Sequence, residues 1–197
     1  MIRFFDIILS LSAIIVSSPV FILLIIWIKI DSKGPAFFMQ SRVGKDGVDF
    51  NLIKFRSMYI GAHTNGLLTV GNSDPRITRA GYHIRRYKLD ELPQLINVLQ
   101  GNMSIVGPRP EVRKYVNLYS PEQIKVISVK PGLTDYASIH YIDENEVLLK
   151  SKQPEVTYIE QILPRKIEMN MLYINNRNLR QYFRVIFLTL KKILSLR

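Results

Sequence analysis

The chain begins with a sharp division between apolar and polar positions. From Ile7 to Ile28 no side chain is charged, with Arg3 and Asp6 ahead of the run and Lys29 and Asp31 behind it. About 22 residues of helix reach about 33 Å, enough to cross the hydrocarbon core of a bilayer. A signal peptide fits poorly, because the run is too long and no small-residue cleavage site follows it. Pro19, directly after Ser17 and Ser18, lies near its middle, where it removes a backbone donor and crowds the carbonyl of Ile15; the serine hydroxyls can satisfy the carbonyls so released. Two geometries follow, a kinked spanning helix and a helix that turns back to the face it came from, and the pattern alone favours the spanning form.

The polar middle, from about Asp31 to Asn176, has no repeats or low-complexity linkers and reads as one domain. Val48 to Ile53 alternates as a strand does, Gly44 to Gly47 and Asn72 to Pro75 are turn sequences, and Leu92 to Leu99 and Glu155 to Leu163 predict helix. The expected fold class is therefore mainly α with minor β. From Arg177 onward there are six basic residues and no acidic one. On a helix, Arg177, Arg180, Arg184 and Lys191 share one arc, while Leu179, Tyr182, Ile186, Leu190, Ile193 and Leu196 gather opposite, the pattern of an interfacial helix on anionic lipid. The chain thus divides into a membrane helix (1–30), a catalytic-size domain (31–176) and a basic amphipathic helix (177–197).

Composition sharpens this picture. The 197 residues carry 27 Lys and Arg against 16 Asp and Glu, a net charge of +11, yet 47% are hydrophobic, a combination that points to a membrane partner. With no cysteine, thiolate chemistry and thiolate metal sites are excluded. Neither a phosphate-binding glycine loop, a dinucleotide fingerprint, a His-Glu-x-x-His zinc motif nor an Asp-x-Asp motif is present. The three histidines, His63, His83 and His140, are too scattered for a metal cluster, and nucleic acid is excluded as a partner because the basic residues mix with a lipid-like face.

The chemically richest stretch runs from Arg76 to Gln94. It holds Arg76, Arg79, Arg85, Arg86 and Lys88 ahead of the adjacent carboxylates Asp90 and Glu91, at what reads as a helix start with Pro93 in the first turn. Two readings fit. Asp90 is a helix cap in a solvated basic surface, or it is a carboxylate aimed at phosphorus, with a phosphate docked beside the helix N-terminus, Arg85 or Arg86 neutralising it and Glu91 holding a divalent cation.

The run from Asp90-Glu91-Leu92-Pro93-Gln94 through Gly107-Pro108-Arg109-Pro110-Glu111 closely resembles the signature of the bacterial sugar transferases, the monotopic phosphoglycosyl transferases that begin membrane glycan assembly. Gly34-Pro35 with Phe38, Gln40, Arg42, Gly44 and Gly47, then Lys54 to Met58, Asp74 to Thr78, and Lys130-Pro131-Gly132-Leu133-Thr134 match in order, so the resemblance covers nearly the whole chain. It implies that the Ser18-Pro19 break makes the N-terminal helix re-entrant, which overturns the spanning preference and puts both termini on the cytoplasmic face of the bacterial inner membrane. It also implies a UDP-sugar as donor and polyprenyl phosphate as acceptor, and the expected donor sugar is N-acetylated, of the deoxy-amino class. Asp90 would attack the β-phosphate, expel UMP and carry the phosphosugar to the lipid. Glu91 would coordinate Mg²⁺ or Mn²⁺, and Arg85 matches the arginine five residues before the family's nucleophile. Lys54, Arg56, Arg109 and Arg113 are candidate phosphate contacts.

After Thr134 the chain departs from the commonest family form, and Ile142 stands where the family has an arginine, so no binding role is carried over there; Asp143 and Glu144 are candidates for compensating contacts. Without a large extra domain the chain would be the family's minimal catalytic form, and its sequence leaves room for a homodimer. The competing expectation is an inert membrane-surface scaffold of a glycan-assembly complex, which would not need the Asp90-Glu91 pair.

Overall fold

The computed structural model describes residues 1–62, 74–141 and 144–195. His63, the Asn72-Ser73 part of the expected turn, Ile142, Asp143, and the last two residues of the basic helix, Leu196 and Arg197, lie outside them. The described residues are mainly helical with a little β structure, as the sequence predicts. In chain order they form α1 (Ile2–Asp31), a hairpin of β1 (Phe37–Val43) and β2 (Asp49–Phe55), α2 (Arg79–Arg86), α3 (Gln94–Gln100), β3 (Ser104–Val106), α4 (Arg113–Val116), β4 (Gly132–Thr134), α5 (Tyr136–His140), α6 (Glu144–Leu149), α7 (Pro154–Thr157), α8 (Leu163–Asn175) and α9 (Leu179–Leu194). Tyr158–Ile162 is a π-helical turn between α7 and α8, so the helix expected around Glu155 to Leu163 continues well past its predicted end.

Helix α1 keeps helical conformation through Pro19. Ser18 Oγ donates to the Ile15 carbonyl at 2.8 Å, the acceptor that the proline nitrogen leaves without its N–H, and Ser17 Oγ donates to Ala13 O at 2.5 Å. Both ends of α1 are tied to the same body. At the start, Arg3 donates to the Val98 and Leu99 carbonyls, and the buried Asp6 Oδ1 accepts from Ser104 Oγ, Ile105 N–H and Tyr182 Oη, each at 2.9 Å. At the far end Leu24 and Ile28 pack with Ala36, Phe55, Ala80 and Ile84, and Asp31 accepts from the Ala80 N–H. Between these contacts Leu11, Ile15, Val16, Ile22 and Leu23 are exposed. A helix this apolar and this open in its middle has the length and composition to enter a membrane.

Two short β pairings set the backbone of the remaining body. β1 and β2 are antiparallel with Phe38 opposite Lys54, Gln40 opposite Leu52 and Arg42 opposite Phe50, so the two-residue period puts Lys54, Gln40 and Arg42 on one face. β3 and β4 are parallel, and Gly107 and Gly132 approach so closely that a β-carbon on Gly132 would lie 2.1 Å from Gly107 N. Only bare Cα atoms permit that contact, which fixes the start of the Pro108–Glu111 segment.

Helix α9 corrects the expected division of its faces. Tyr182 is completely buried with Val185 against Val106 and Tyr173, whereas the sequence reading put Tyr182 on the lipid side. Leu190 and Ile193 are exposed as expected, and Phe183, Phe187 and Leu194 join them in the exposed apolar stripe. Phe183 meets Phe5 edge-on at 5.0 Å, so the stripe runs on into the start of α1. A helix needs two apolar arcs, one for the core and one left open, and composition does not say which residue takes which.

Candidate active site

Asp90 sits in a single tight turn, Leu89–Glu91, entered through Lys88 in the left-handed region (φ 56°). The turn precedes α3, whose N-cap position is taken by Pro93. Asp90 is therefore not the helix cap that the sequence suggested, and the seven-residue α3 offers it no anion site at its N-terminus. A non-glycine residue at positive φ costs of order 1 kcal/mol and persists only where its surroundings hold it, a pattern common at functional sites.

The two adjacent carboxylates have opposite surroundings. Asp90 is 7% exposed, and among the described residues no group donates a hydrogen bond to its carboxylate. Burial, and then the charge of Glu91, hold its pKa above the usual carboxylate range, against the opposing pull of Lys54, Arg85 and Lys88. Glu91 is gripped by Arg109, with Nη1 donating to Oε2 at 3.1 Å and Nη2 to Oε1. Burial works against the Glu91 anion, but the charge and hydrogen bonds of Arg109, with Lys54 and Lys88, outweigh it and hold its pKa well below the usual range. Arg109, in turn, is held charged chiefly by Glu91.

Lys54 comes from the hairpin face shared with Gln40 and Arg42. Its burial pushes its pKa down to about 8 despite the nearby charges of Glu91 and Asp90. Arg85, in the last turn of α2, reaches Asp90 with its charge. The charges of Lys54, Arg85, Lys88 and Arg109 thus act together on the Asp90-Glu91 pair.

The structure does not bring Arg56 and Arg113 to this group. Arg56 is buried and donates to Ile28 O at 3.2 Å, to Ser32 O at 2.7 Å and to Lys33 O, capping the open carbonyls at the end of α1. Arg113 donates to Gly47 O and Asp49 Oδ1, both at 2.6 Å, closing the β1–β2 turn on the surface. Both corrections have one cause: hydrogen-bonding a carbonyl and hydrogen-bonding a phosphate ask the same of a guanidinium, and only tertiary position separates them.

Several site residues escaped the sequence reading. Lys88 stands in the sequence only as one of the basic residues ahead of the dyad, since nothing in a lysine announces a left-handed backbone. Asp135 caps α5 through Ser138 N at 2.5 Å and also accepts the Arg109 N–H at 2.9 Å; the Asp-x-x-Ser spacing after a strand could have flagged the cap. Behind Arg109, Glu111 receives Tyr158 Oη and Lys166 Nζ, and Lys166 also donates to Glu144 at 3.1 Å. Glu144, expected as a compensating loop contact, thus lies one layer behind the site.

Among the described residues no three His, Asp or Glu side chains gather as a metal cluster. His83 lies against Trp27 at 5.7 Å between ring centres, and His140 lies against Tyr141.

Comparison with known proteins gives this geometry a context. A family model described as bacterial sugar transferase matches residues 1–196. Over 98% of the chain it is 34% identical to an Aeromonas hydrophila protein named UDP-N-acetylgalactosamine-undecaprenyl-phosphate N-acetylgalactosaminephosphotransferase, covering 43% of that protein. Over 95% of the chain it is 34% identical to the Escherichia coli K12 UDP-glucose:undecaprenyl-phosphate glucose-1-phosphate transferase, covering 39% of it. It is 32% identical over 98% of its length to a Bacillus subtilis protein named uncharacterized sugar transferase EpsL, covering 86% of that relative. The chain thus spans about two fifths of the length of the first two relatives.

Proposed function

Because the chain belongs to the bacterial sugar transferase family, we propose that it moves a sugar 1-phosphate from a UDP-sugar to polyprenyl phosphate at a membrane surface. The observation that carries this reading is the contrast inside the dyad: Asp90 is buried, without a hydrogen bond among the described residues and bordered by cations, while Glu91 is locked to Arg109. The first carboxylate is kept nucleophilic and the second is kept charged.

In the first step an Asp90 oxygen attacks the sugar-bearing phosphorus, the phosphoanhydride bond to UMP breaks, and an acyl phosphate carries the sugar. In the second, an oxygen of the lipid phosphate attacks that same phosphorus, releases Asp90 as a carboxylate and forms the polyprenyl diphosphate-sugar. One phosphoanhydride replaces another, so placement and charge neutralisation are the main work required. Lys54, Arg85 and Arg109 are positioned to supply that neutralisation, with Lys54 as a point charge and the arginines as planar donors. A bidentate guanidinium fills two of about four acceptor sites on Glu91, so its ionised carboxylate keeps acceptor capacity that would suit a magnesium or manganese ion. Such an ion, held by Glu91, would supply further neutralisation of the diphosphate.

The docking of α1 at both ends supports a re-entrant arrangement on the cytoplasmic face of the inner membrane. A bilayer cannot separate Asp6 from Ile28 when both pack against one body, so the exposed centre around Ser17-Ser18-Pro19 would dip into the lipid and return. The stripe Phe183, Phe187, Leu190 and Leu194 of α9 would lie along the same surface, with Arg180, Arg184 and Lys191 meeting anionic headgroups.

The deciding experiment is UMP release from a panel of UDP-sugars by the purified full chain in detergent, with Mg²⁺ and polyprenyl phosphate, alongside Asp90→Asn. Release with one donor, sugar appearing in the lipid and silence in the variant are the expected results. Release that does not depend on Asp90 would refute the nucleophile.

A further inference from the structure

Glu91 is not the nearest carboxylate to Arg109 along the chain. Glu111 lies two residues away across Pro110, is largely buried, and feels the charge of Arg109. In a low-dielectric interior, two carboxylates that can reach one guanidinium compete for it. Glu111 is instead occupied by others: it accepts from Tyr158 Oη, Lys166 Nζ lies 3.5 Å from its Oε1, and Arg42 Nη1 lies 3.8 Å from its Oε2. Lys166 is buried as well, lies 3.3 Å from Tyr158 Oη, and has Glu144 as its second carboxylate at 3.1 Å.

The backbone is built to deliver these two donors together. Tyr158 and Lys166 sit on one continuous helical run, and the π-helical turn Tyr158–Ile162 lies between them. A π turn adds one residue and rotates everything before it relative to everything after it by about a quarter turn. Eight residues apart in an undisturbed α-helix would be about 80° out of phase. Here both side chains reach the same carboxylate.

Resting on the proposed transfer reaction, we propose that Lys166 and Tyr158 are positioning residues that hold Glu111 away from Arg109, leaving the Arg109 guanidinium for Glu91 beside the Asp90 nucleophile. Removing the Lys166 charge leaves Glu111 short of a counter-ion, and it draws Arg109 back from the dyad. Removing the Glu111 charge as well takes away the competitor and returns Arg109 to Glu91. A residue that merely fills space predicts the opposite, because two damaged neighbours are then no better than one.

The experiment measures kcat and KM for donor with the full chain in detergent, for wild type, Lys166→Met, Lys166→Arg, Glu111→Gln and Lys166→Met with Glu111→Gln. Lys166→Met should lower kcat about tenfold or more with donor KM changed less than about threefold, a split expected when an interaction with the reacting groups is lost. Lys166→Arg should keep activity within about threefold of wild type, and the double variant should recover most of what Lys166→Met loses. A double variant as slow as Lys166→Met, or slower, overturns the proposal. If Lys166→Met does not fold, Tyr158→Phe removes one hydroxyl at almost constant volume. It should lower kcat about three- to fivefold, with recovery in Tyr158→Phe with Glu111→Gln and without it if the role is structural. Wild-type turnover in the same panel tests the transfer reaction separately, so a failed reaction and a failed positioning role give different results.

Discussion

Two buried carboxylates, Asp6 and Asp90, lie at opposite extremes of what a protein can do with an anion. Asp6 Oδ1 collects three hydrogen bonds from neutral donors on β3 and α9, and is 2% exposed. Asp90 is almost as buried, collects none among the described residues, and feels the charges of Lys54, Arg85 and Lys88. A saturated carboxylate has its lone pairs occupied and its energy lowered, so it holds elements together. An unsaturated one is costly to bury and has its lone pairs available, so it can react. The difference lies in neighbours, since both are buried aspartates.

The largest expected effect tests Asp90. Asp90→Asn should lower turnover by at least about 10³-fold while leaving thermal unfolding in detergent within about 1 kcal/mol of wild type, because no hydrogen bond among the described residues is lost. Asp6→Ala should do the reverse. It strands three buried donors, so denaturation should show a loss of about 3 kcal/mol or more with turnover per folded molecule changed less than about threefold. If Asp6→Ala is stable but inactive, the contrast fails.

Arg56 and Lys54, two residues apart, extend the comparison to cations. Arg56→Gln should cost about 2 kcal/mol of stability, since the guanidinium caps three carbonyls, with donor KM unchanged; a large rise in KM would return Arg56 to the site. Lys54 tests the same point through pH. With its pKa pushed down to about 8, the free enzyme loses this cation as pH rises through that value, so kcat/KM should fall on the alkaline side from about pH 8. In Lys54→Arg the guanidinium stays charged and that limb should move above the measurable range, whatever the absolute rate.

Sequence reasoning reached unequal depths in these regions. The apolar run of α1, its Ser-Pro interruption and the strand at Asp49–Phe55 are one-dimensional patterns, and patterning dictates them. The adjacency of Asp90 and Glu91 is covalent, and their separation into a free and a gripped carboxylate is not. It depends on Arg109 arriving from 18 residues further on, over a pair of glycines that lets β3 and β4 close. Arg56 shows the same limit in reverse. Its sequence neighbourhood is that of a phosphate ligand, but the end of α1 folds back onto it and its donors go to carbonyls.

What the sequence determined by itself is local: an apolar segment long enough for a membrane, a basic amphipathic C-terminus, a dyad of carboxylates in an arginine-rich stretch, and the run of motifs that marks the family. What tertiary structure decided is which groups share a place. It chose Tyr182 for the core and Phe183 for the surface, tied both ends of α1 to one body, and gave Glu91 its guanidinium while leaving Asp90 without a donor among the described residues. The physical reason is common to all of these. Periodicity and composition set which side chains want to leave water, whereas pairing in a low-dielectric interior depends on distances between residues far apart in the chain.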